Sequence, residues 1–187
     1  MNAAAWILSI LLSLTPAKPQ PGHEETPEQY RARMGEIATV IADGVYGEHR
    51  GPLLAEGADA TAARLIAVAY MESGFSHDAD VGPCYRGRDG RGARCDAGRS
   101  VSIWQIQIGN ARTPEGYVKA DLWDRRKAEQ VAQRKIVASA SCVRDFGPDA
   151  ALASYASGMC SRGHAESAAR LALARKLLTL HPRPVKP

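Results

Sequence analysis

Glu72 is the residue of this 187-residue chain whose position most directly suggests acid–base chemistry. It follows Ala69 by three residues and Leu65 by seven, so the three side chains share one face of a predicted helix. An apolar face disfavours the charged form of a carboxyl group, and a carboxyl group that keeps its proton near neutral pH suits a general acid. A Glu in a last helical turn can also point into solvent, so the spacing alone leaves both interpretations open.

Glu72 belongs to the first of three short segments that follow one another along the chain. They are MESGF at residues 71–75, SIWQI at 102–106 and ASYASG at 153–158. In this order they resemble the soluble lytic transglycosylase (SLT) family of the lysozyme-like superfamily, which carries Glu-Ser-x-Phe, then Gly-Leu-Met-Gln-Ile, then Ala-Tyr-Asn-Ala-Gly. The resemblance covers roughly residues 60–160 and implies a lysozyme-like fold.

The resemblance implies cleavage of the β-1,4 bond between N-acetylmuramic acid and N-acetylglucosamine in the glycan strands of peptidoglycan. Glu72 would protonate the glycosidic oxygen and then accept the proton of the muramyl C6 hydroxyl, which leaves a 1,6-anhydro sugar. The same resemblance implies that the Tyr155 hydroxyl holds Glu72, and that Ser73, Ser102 and Gln105 line the substrate groove. This chemistry requires no metal ion and no organic cofactor, and none is expected.

The segments also depart from the family pattern. Ser102 replaces a Gly, Trp104 replaces a Met and is expected in the core, and Ala156 replaces an Asn that would contact the glycan. Because of the last of these departures, an alternative function is that of a protein that binds peptidoglycan without cutting it. Hydrolysis, as in a goose-type lysozyme, requires a second carboxylate. Asp78 and Asp80 are the candidates, although both are also common residues of turns.

Composition and charge exclude several classes of protein. With 45% apolar and 24% charged residues, the chain is globular and of one domain. The net charge is +4, of which the segment 82–99 carries +3 through five Arg and two Asp. An excess confined to one loop favours a local anionic contact or a solvated face. Nucleic acid is therefore not the expected partner.

The amino-terminal segment predicts export. Residues 3–14 form an uncharged apolar run that is too short to span a bilayer, and a small-residue cleavage site follows at Thr15-Pro16-Ala17. We therefore predict a signal peptide over 1–17 and a linker over 18–25, with a helix buried in the core as the alternative for 3–14. The mature protein is expected to be a periplasmic or extracellular monomer without membrane insertion.

The four cysteines fit an exported chain. Cys84, Cys95, Cys142 and Cys160 lack the close spacing of a zinc site. An even count predicts two disulfides, for which three pairings are possible. We favour Cys84 with Cys95, which would close the arginine-containing loop, and Cys142 with Cys160, which would connect two helices.

Hydrophobic periodicity predicts a mainly α fold with little or no sheet. Thr26-Pro27-Glu28-Gln29 has the composition of a helix start, and Gly74 that of a helix stop. The expected organisation is a lysozyme-like domain over 26–180, with a long disulfide-closed loop, and a disordered tail over 181–187. The predicted helices cover 27–44, 61–73, 128–146, 149–155 and 165–180.

Overall fold

The structure is a computed structural model that describes residues 2–14, 25–81, 99–108 and 111–184. The fold is mainly helical, as predicted. Within the described ranges, the β-type pairing is an isolated antiparallel bridge between Val101 and Ile106. The α-helices are α1 (Ala3–Leu14), α2 (Pro27–Tyr46), α3 (Ala58–Ser73), α4 (His77–Asp80), α5 (Arg125–Ser139), α6 (Val143–Phe146), α7 (Ala153–Ser157) and α8 (His164–Leu180). The 3₁₀ helices are Lys119–Trp123, Ala140–Cys142 and Pro148–Ala150.

The start of α2 is the capping box that the sequence predicts. The Thr26 hydroxyl accepts a hydrogen bond from the Gln29 backbone N–H at 3.2 Å, and the Gln29 side chain accepts one from the Thr26 N–H at 2.8 Å. Pro27 occupies the first helical position, where a missing N–H costs nothing. These contacts fix where the longest helix of the described chain begins.

Replacing Thr26 with alanine is expected to lower the free energy of unfolding by about 1 kcal/mol, because the Gln29 N–H loses its acceptor. Chemical denaturation of the variant and the wild type measures the difference. Thr39→Ala is the matched control, since Thr39 is exposed in the middle of α2 and alanine has the higher helix propensity. An equal loss of stability in both variants would contradict the capping argument.

One apolar core joins α1, α2, α3, α5 and α8. The segment 3–14 belongs to it as α1, where Trp6, Ile7, Ile10 and Leu11 are buried. The indole N–H of Trp6 donates to the backbone oxygen of His181 at 2.8 Å. The packing therefore corresponds to the buried-helix alternative, while the removal of residues 1–17 as a signal peptide stays a prediction. Within the described ranges, no helix has the length and apolarity needed to cross a bilayer.

A buried carboxyl group lies between α2 and α5. Glu129 is 1% exposed, and its carboxyl group lies directly against Gly44, where a Cβ atom would come within 2.2 Å of Oε2. Burial raises the pKa of Glu129 to about 8. Gln133 lies one turn later on the same helix face. Its side-chain oxygen and Glu129 Oε1 are both buried and have no hydrogen-bond donor among the described residues. The protonated form of Glu129 therefore suits this position between α2 and α5.

The segment predicted as a long loop after Gly74 contains a short helix. Ser76 caps α4 by accepting a hydrogen bond from the Ala79 N–H. Residues 82–98 lie outside the described residues, and with them the predicted disulfide between Cys84 and Cys95.

The disulfide between Cys142 and Cys160 is present, as predicted. The helix predicted over 128–146 is interrupted after Ser139 by a 3₁₀ turn, which precedes α6. The helix predicted over 149–155 divides into the 3₁₀ helix Pro148–Ala150 and α7. The chain at the disulfide is thus a series of short turns.

The segment predicted as a disordered tail contacts the body of the fold over its first residues. The backbone oxygen of His181 accepts the hydrogen bond from Trp6. The Arg183 guanidinium donates to Asp59 at 2.8 Å and lies over the Tyr46 ring. These contacts restrain the described part of this segment, residues 181–184.

Candidate active site

Glu72 lies in the last turn of α3, where the helix has to end. Gly74 adopts the left-handed conformation at the C-cap, with φ of 58°, and its N–H returns to the Tyr70 carbonyl at 2.8 Å. The Glu72 side chain is 22% exposed, so solvent reaches a carboxyl group that is otherwise covered by protein. This position allows the carboxyl group to meet a ligand.

Tyr155 from α7 lies within electrostatic range of Glu72. Burial, followed by the negative charge of Glu72, raises the pKa of Tyr155 well above its usual range, with Arg170 acting in the opposite direction. The resemblance implies that the Tyr155 hydroxyl holds Glu72, but the structure shows this hydroxyl on another partner. It donates to the Trp104 backbone oxygen at 2.7 Å.

Trp104 connects the turn 101–106 to α3. Its ring is 1% exposed, and its indole N–H donates to the Leu65 backbone oxygen at 3.1 Å. The prediction that Trp104 is a core residue is confirmed. The three segments that carry the resemblance therefore meet in space, with Trp104 as the link between Glu72's helix and the Tyr155 hydroxyl.

Arg170 is a member of the site that the sequence analysis missed. Its Nη2 donates to Glu72 Oε1 at 2.6 Å. The surroundings of the Glu72 carboxyl group were expected to be apolar, but they include the guanidinium group of Arg170. A signal was present in the sequence, since Arg170 shares the helical spacing of Ser167, Ala174 and Leu177 on the buried face of α8.

Left-handed backbone marks the two segments that flank the site. Among the described residues, the non-glycine residues with positive φ are Phe75 at 53°, Ser102 at 67° and Gln105 at 48°. Such conformations are costly for side chains with a Cβ and recur at functional sites. All three lie in the segments 71–75 and 102–106.

The predicted groove residues mostly use their polar groups within these turns. The Ser73 hydroxyl donates to the Ala69 carbonyl and accepts from the Phe75 N–H. Ser102 is 4% exposed, and its hydroxyl accepts from the Trp104 N–H. The Gln105 side chain is partly exposed and donates to the Ser102 carbonyl at 2.9 Å. Of these three side chains, Ser73 and Gln105 have surface that a ligand could reach.

Asp80 is part of an ion network rather than a free second carboxylate. It is 2% exposed and accepts two hydrogen bonds from Arg125, at 2.7 and 2.9 Å, and one from Arg33 at 3.3 Å. Arg33 also donates to the Phe75 backbone oxygen at 3.0 Å and is paired with Glu25. The network therefore holds the chain that leaves α3 just after Glu72. Asp78, on the same short helix α4, is partly buried.

The position of Tyr155 depends on contacts around α7. The Ser139 hydroxyl at the end of α5 accepts hydrogen bonds from the Tyr155 N–H at 3.2 Å and from the Ser154 hydroxyl at 2.9 Å. The Cys142–Cys160 disulfide closes the stretch of chain that contains α7. These contacts restrain the phenol from both sides.

A cavity lies elsewhere in the described part of the chain. It has a volume of about 810 Å³ between α1, α2 and the start of α5, and none of Glu72, Tyr155 and Arg170 lines it. No group of three or more His, Cys, Asp or Glu side chains that could hold a metal ion occurs in the described ranges.

Comparison of the chain with family models, with curated proteins and with solved structures gives no match in any of the three. In the site itself, α3, the turn 101–106, α7 and α8 bring together a carboxylate, a phenol and a guanidinium.

Proposed function

We propose that the chain cleaves the β-1,4 bond between N-acetylmuramic acid and N-acetylglucosamine in peptidoglycan by lytic transglycosylation. One observation carries the proposal, namely the convergence at one site of Glu72, Trp104 and Tyr155, which lie on three separate segments. The left-handed backbone at Phe75, Ser102 and Gln105 supports it further. Because the substrate is a polymer of the cell wall, the proposal includes export of the protein. The Cys142–Cys160 disulfide is compatible with export.

In the proposed reaction a single carboxyl group transfers a proton twice. Glu72 donates a proton to the O4 leaving oxygen as the C1–O4 bond breaks. It then accepts the proton of the C6 hydroxyl as O6 bonds to C1, so that no water is consumed. Tyr155, anchored on Trp104, would border the carboxyl group and limit its movement.

The surroundings of Asp80 favour transglycosylation over hydrolysis. Hydrolysis with two carboxylates requires the second one to activate water or to attack the sugar. Asp80 is committed to Arg125 and Arg33, which leaves Asp78 as the candidate for that role.

A second candidate function is binding of peptidoglycan without cleavage. The hydrogen bond from Arg170 to Glu72 favours it, because it engages one oxygen of the carboxyl group that would have to reach the glycosidic bond. Ala156 in place of the family's Asn points in the same direction.

Digestion of purified sacculi, followed by mass spectrometry of the soluble products, separates these functions. We expect fragments that end in 1,6-anhydro-N-acetylmuramic acid. Reducing ends would instead identify a hydrolase. Retention of the protein on sacculi with no soluble product between pH 4 and pH 8 would identify a binding protein and overturn the enzymatic proposal.

A further inference from the structure

The cavity between α1, α2 and the start of α5 has the size of a ligand site. Its volume is about 810 Å³, within the range of roughly 300–1,000 Å³ that ligand pockets occupy. Trp123 lines it and is 45% exposed. The other two tryptophans of the chain, Trp6 and Trp104, are each 1% exposed, so Trp123 is the tryptophan that a molecule from solution can reach. We call this feature the Trp123 cavity.

Gly35 opens the wall of the Trp123 cavity that α2 forms. It lies within α2, where glycine is less favourable than alanine. A Cβ atom at this position would meet no other described residue within 4 Å, so packing does not require glycine here. The wall on α1 also includes small side chains, at Ala4 and Ala5. The cavity is therefore open where larger residues would fill it.

The charged residues that line the Trp123 cavity balance one another. They are two acids and two arginines, namely Glu36, Asp124, Arg125 and Arg126. Arg125 is paired with Glu36 and with Asp80, and Arg126 is paired with Asp43. This arrangement gives no preference for an anion or a cation. Glu36 and Arg126 are exposed and offer an acceptor and donors to a ligand, so the cavity suits an uncharged molecule with polar groups and an apolar face.

A pyranose ring has these properties, since its C–H face can stack on an indole ring while its hydroxyl and acetamido groups form hydrogen bonds. We propose that the Trp123 cavity binds an N-acetylhexosamine unit of a glycan strand, at a site separate from Glu72. The choice of this sugar rests on the proposed function, whose substrate is a polymer of such units. Two sites on one polymer increase its retention by the protein. Because α1 forms one wall, the inference concerns the chain that keeps α1.

An NMR titration of the full-length chain with tetra-N-acetylchitotetraose tests the inference. The intact mass of the sample confirms that α1 is present, and the indole N–H signal of Trp123 is assigned by its loss in Trp123→Phe. We expect this signal to shift and to reach saturation. The signals of Trp6 and Trp104 should move less, because their N–H groups donate to backbone oxygens inside the protein. No saturable shift of the Trp123 signal at millimolar saccharide would overturn the inference.

Two substitutions alter the Trp123 cavity in opposite ways. Trp123→Ala removes the stacking surface, whereas Gly35→Leu fills the open wall in a helix that favours leucine over glycine. We expect each to weaken binding of the oligosaccharide by about tenfold or more in isothermal titration calorimetry. The unfolding temperature of Gly35→Leu should not fall. If a variant does not fold, the indole signals of the wild type still decide.

Phe146→Ala is the matched control for these variants. Phe146 is 44% exposed and does not line the Trp123 cavity, so its loss should leave the affinity at the wild-type value. Wild-type affinity in a folded Trp123→Ala or Gly35→Leu protein would overturn the inference. An equal loss of affinity in Phe146→Ala would also overturn it.

The two proposals fail in different ways. Sacculi that release no fragments would overturn the proposed function, and the Trp123 signal would then still decide whether the cavity binds saccharide. Cleavage of sacculi without a shift of the Trp123 signal would leave the function in place and remove the second site. A shift caused by phosphatidylglycerol vesicles and not by the saccharide would identify a lipid surface and would likewise remove it.

Discussion

Replacing Glu72 with glutamine is expected to reduce the release of anhydro fragments from sacculi by at least about 100-fold, because the amide has no proton to transfer. The fold should persist, since the amide oxygen can still accept the hydrogen bond from Arg170. Product release is measured by mass spectrometry, and folding by circular dichroism and thermal unfolding.

The matched control for this prediction is Glu48→Gln. Glu48 is exposed in the turn after α2, and the same chemical change there should leave release unaffected. Release at the wild-type rate by Glu72→Gln would remove the enzymatic proposal. Loss of release in both variants would indicate a general effect of charge on adsorption to the wall.

Replacing Glu129 with glutamine is expected to stabilise the protein at alkaline pH. Burial raises the pKa of Glu129 to about 8 from an ordinary value of 4.5, so the folded state binds a proton that the unfolded state releases between these values. The stability that the protonated carboxyl group provides is complete below pH 4.5 and is lost as the pH rises to 8. The amide stays neutral throughout.

The expected size of this effect is on the order of 4 kcal/mol at pH 8.5, since one unit of difference in pKa corresponds to about 1.4 kcal/mol. At pH 4 the variant and the wild type should be equally stable to within about 1 kcal/mol. Chemical denaturation at both pH values measures the difference, and titrations common to both proteins cancel in it. No gain at pH 8.5 would show that Glu129 is not buried in this way, and Glu48→Gln again provides an exposed acid for comparison.

Local signals in the sequence predicted local structure well. The capping box at Thr26 and the stop at Gly74 depend on residues within one turn, so residue type and offset are enough to identify them. The Cys142–Cys160 disulfide could be predicted because few pairings were possible. Periodicity predicted the long helices, but it did not separate the short turns after Ser139, where each element is only three to five residues long.

The polar contacts of the site could not be predicted in the same way. Glu72 and Arg170 are 98 positions apart, and nothing local indicates that α3 and α8 will bring them together. Asp80 looks like a turn residue until α2 and α5 are placed beside it with Arg33 and Arg125. The resemblance predicts that the Tyr155 hydroxyl holds Glu72, whereas its hydrogen-bond partner in the structure is the Trp104 backbone oxygen. The motifs therefore predicted which residues belong to the candidate site, whereas their hydrogen-bond partners depend on how the helices pack.

The covalent link between Cys142 and Cys160 gives the phenol a sensitivity to thiols that the carboxylate does not share. The chain between these cysteines carries Tyr155, while Glu72 and Arg170 lie outside it. Closing a loop of this size stabilises it by roughly 3 kcal/mol in the chain-entropy view. A mild reductant is therefore expected to increase the mobility of Tyr155 without chemically modifying Glu72 or Arg170.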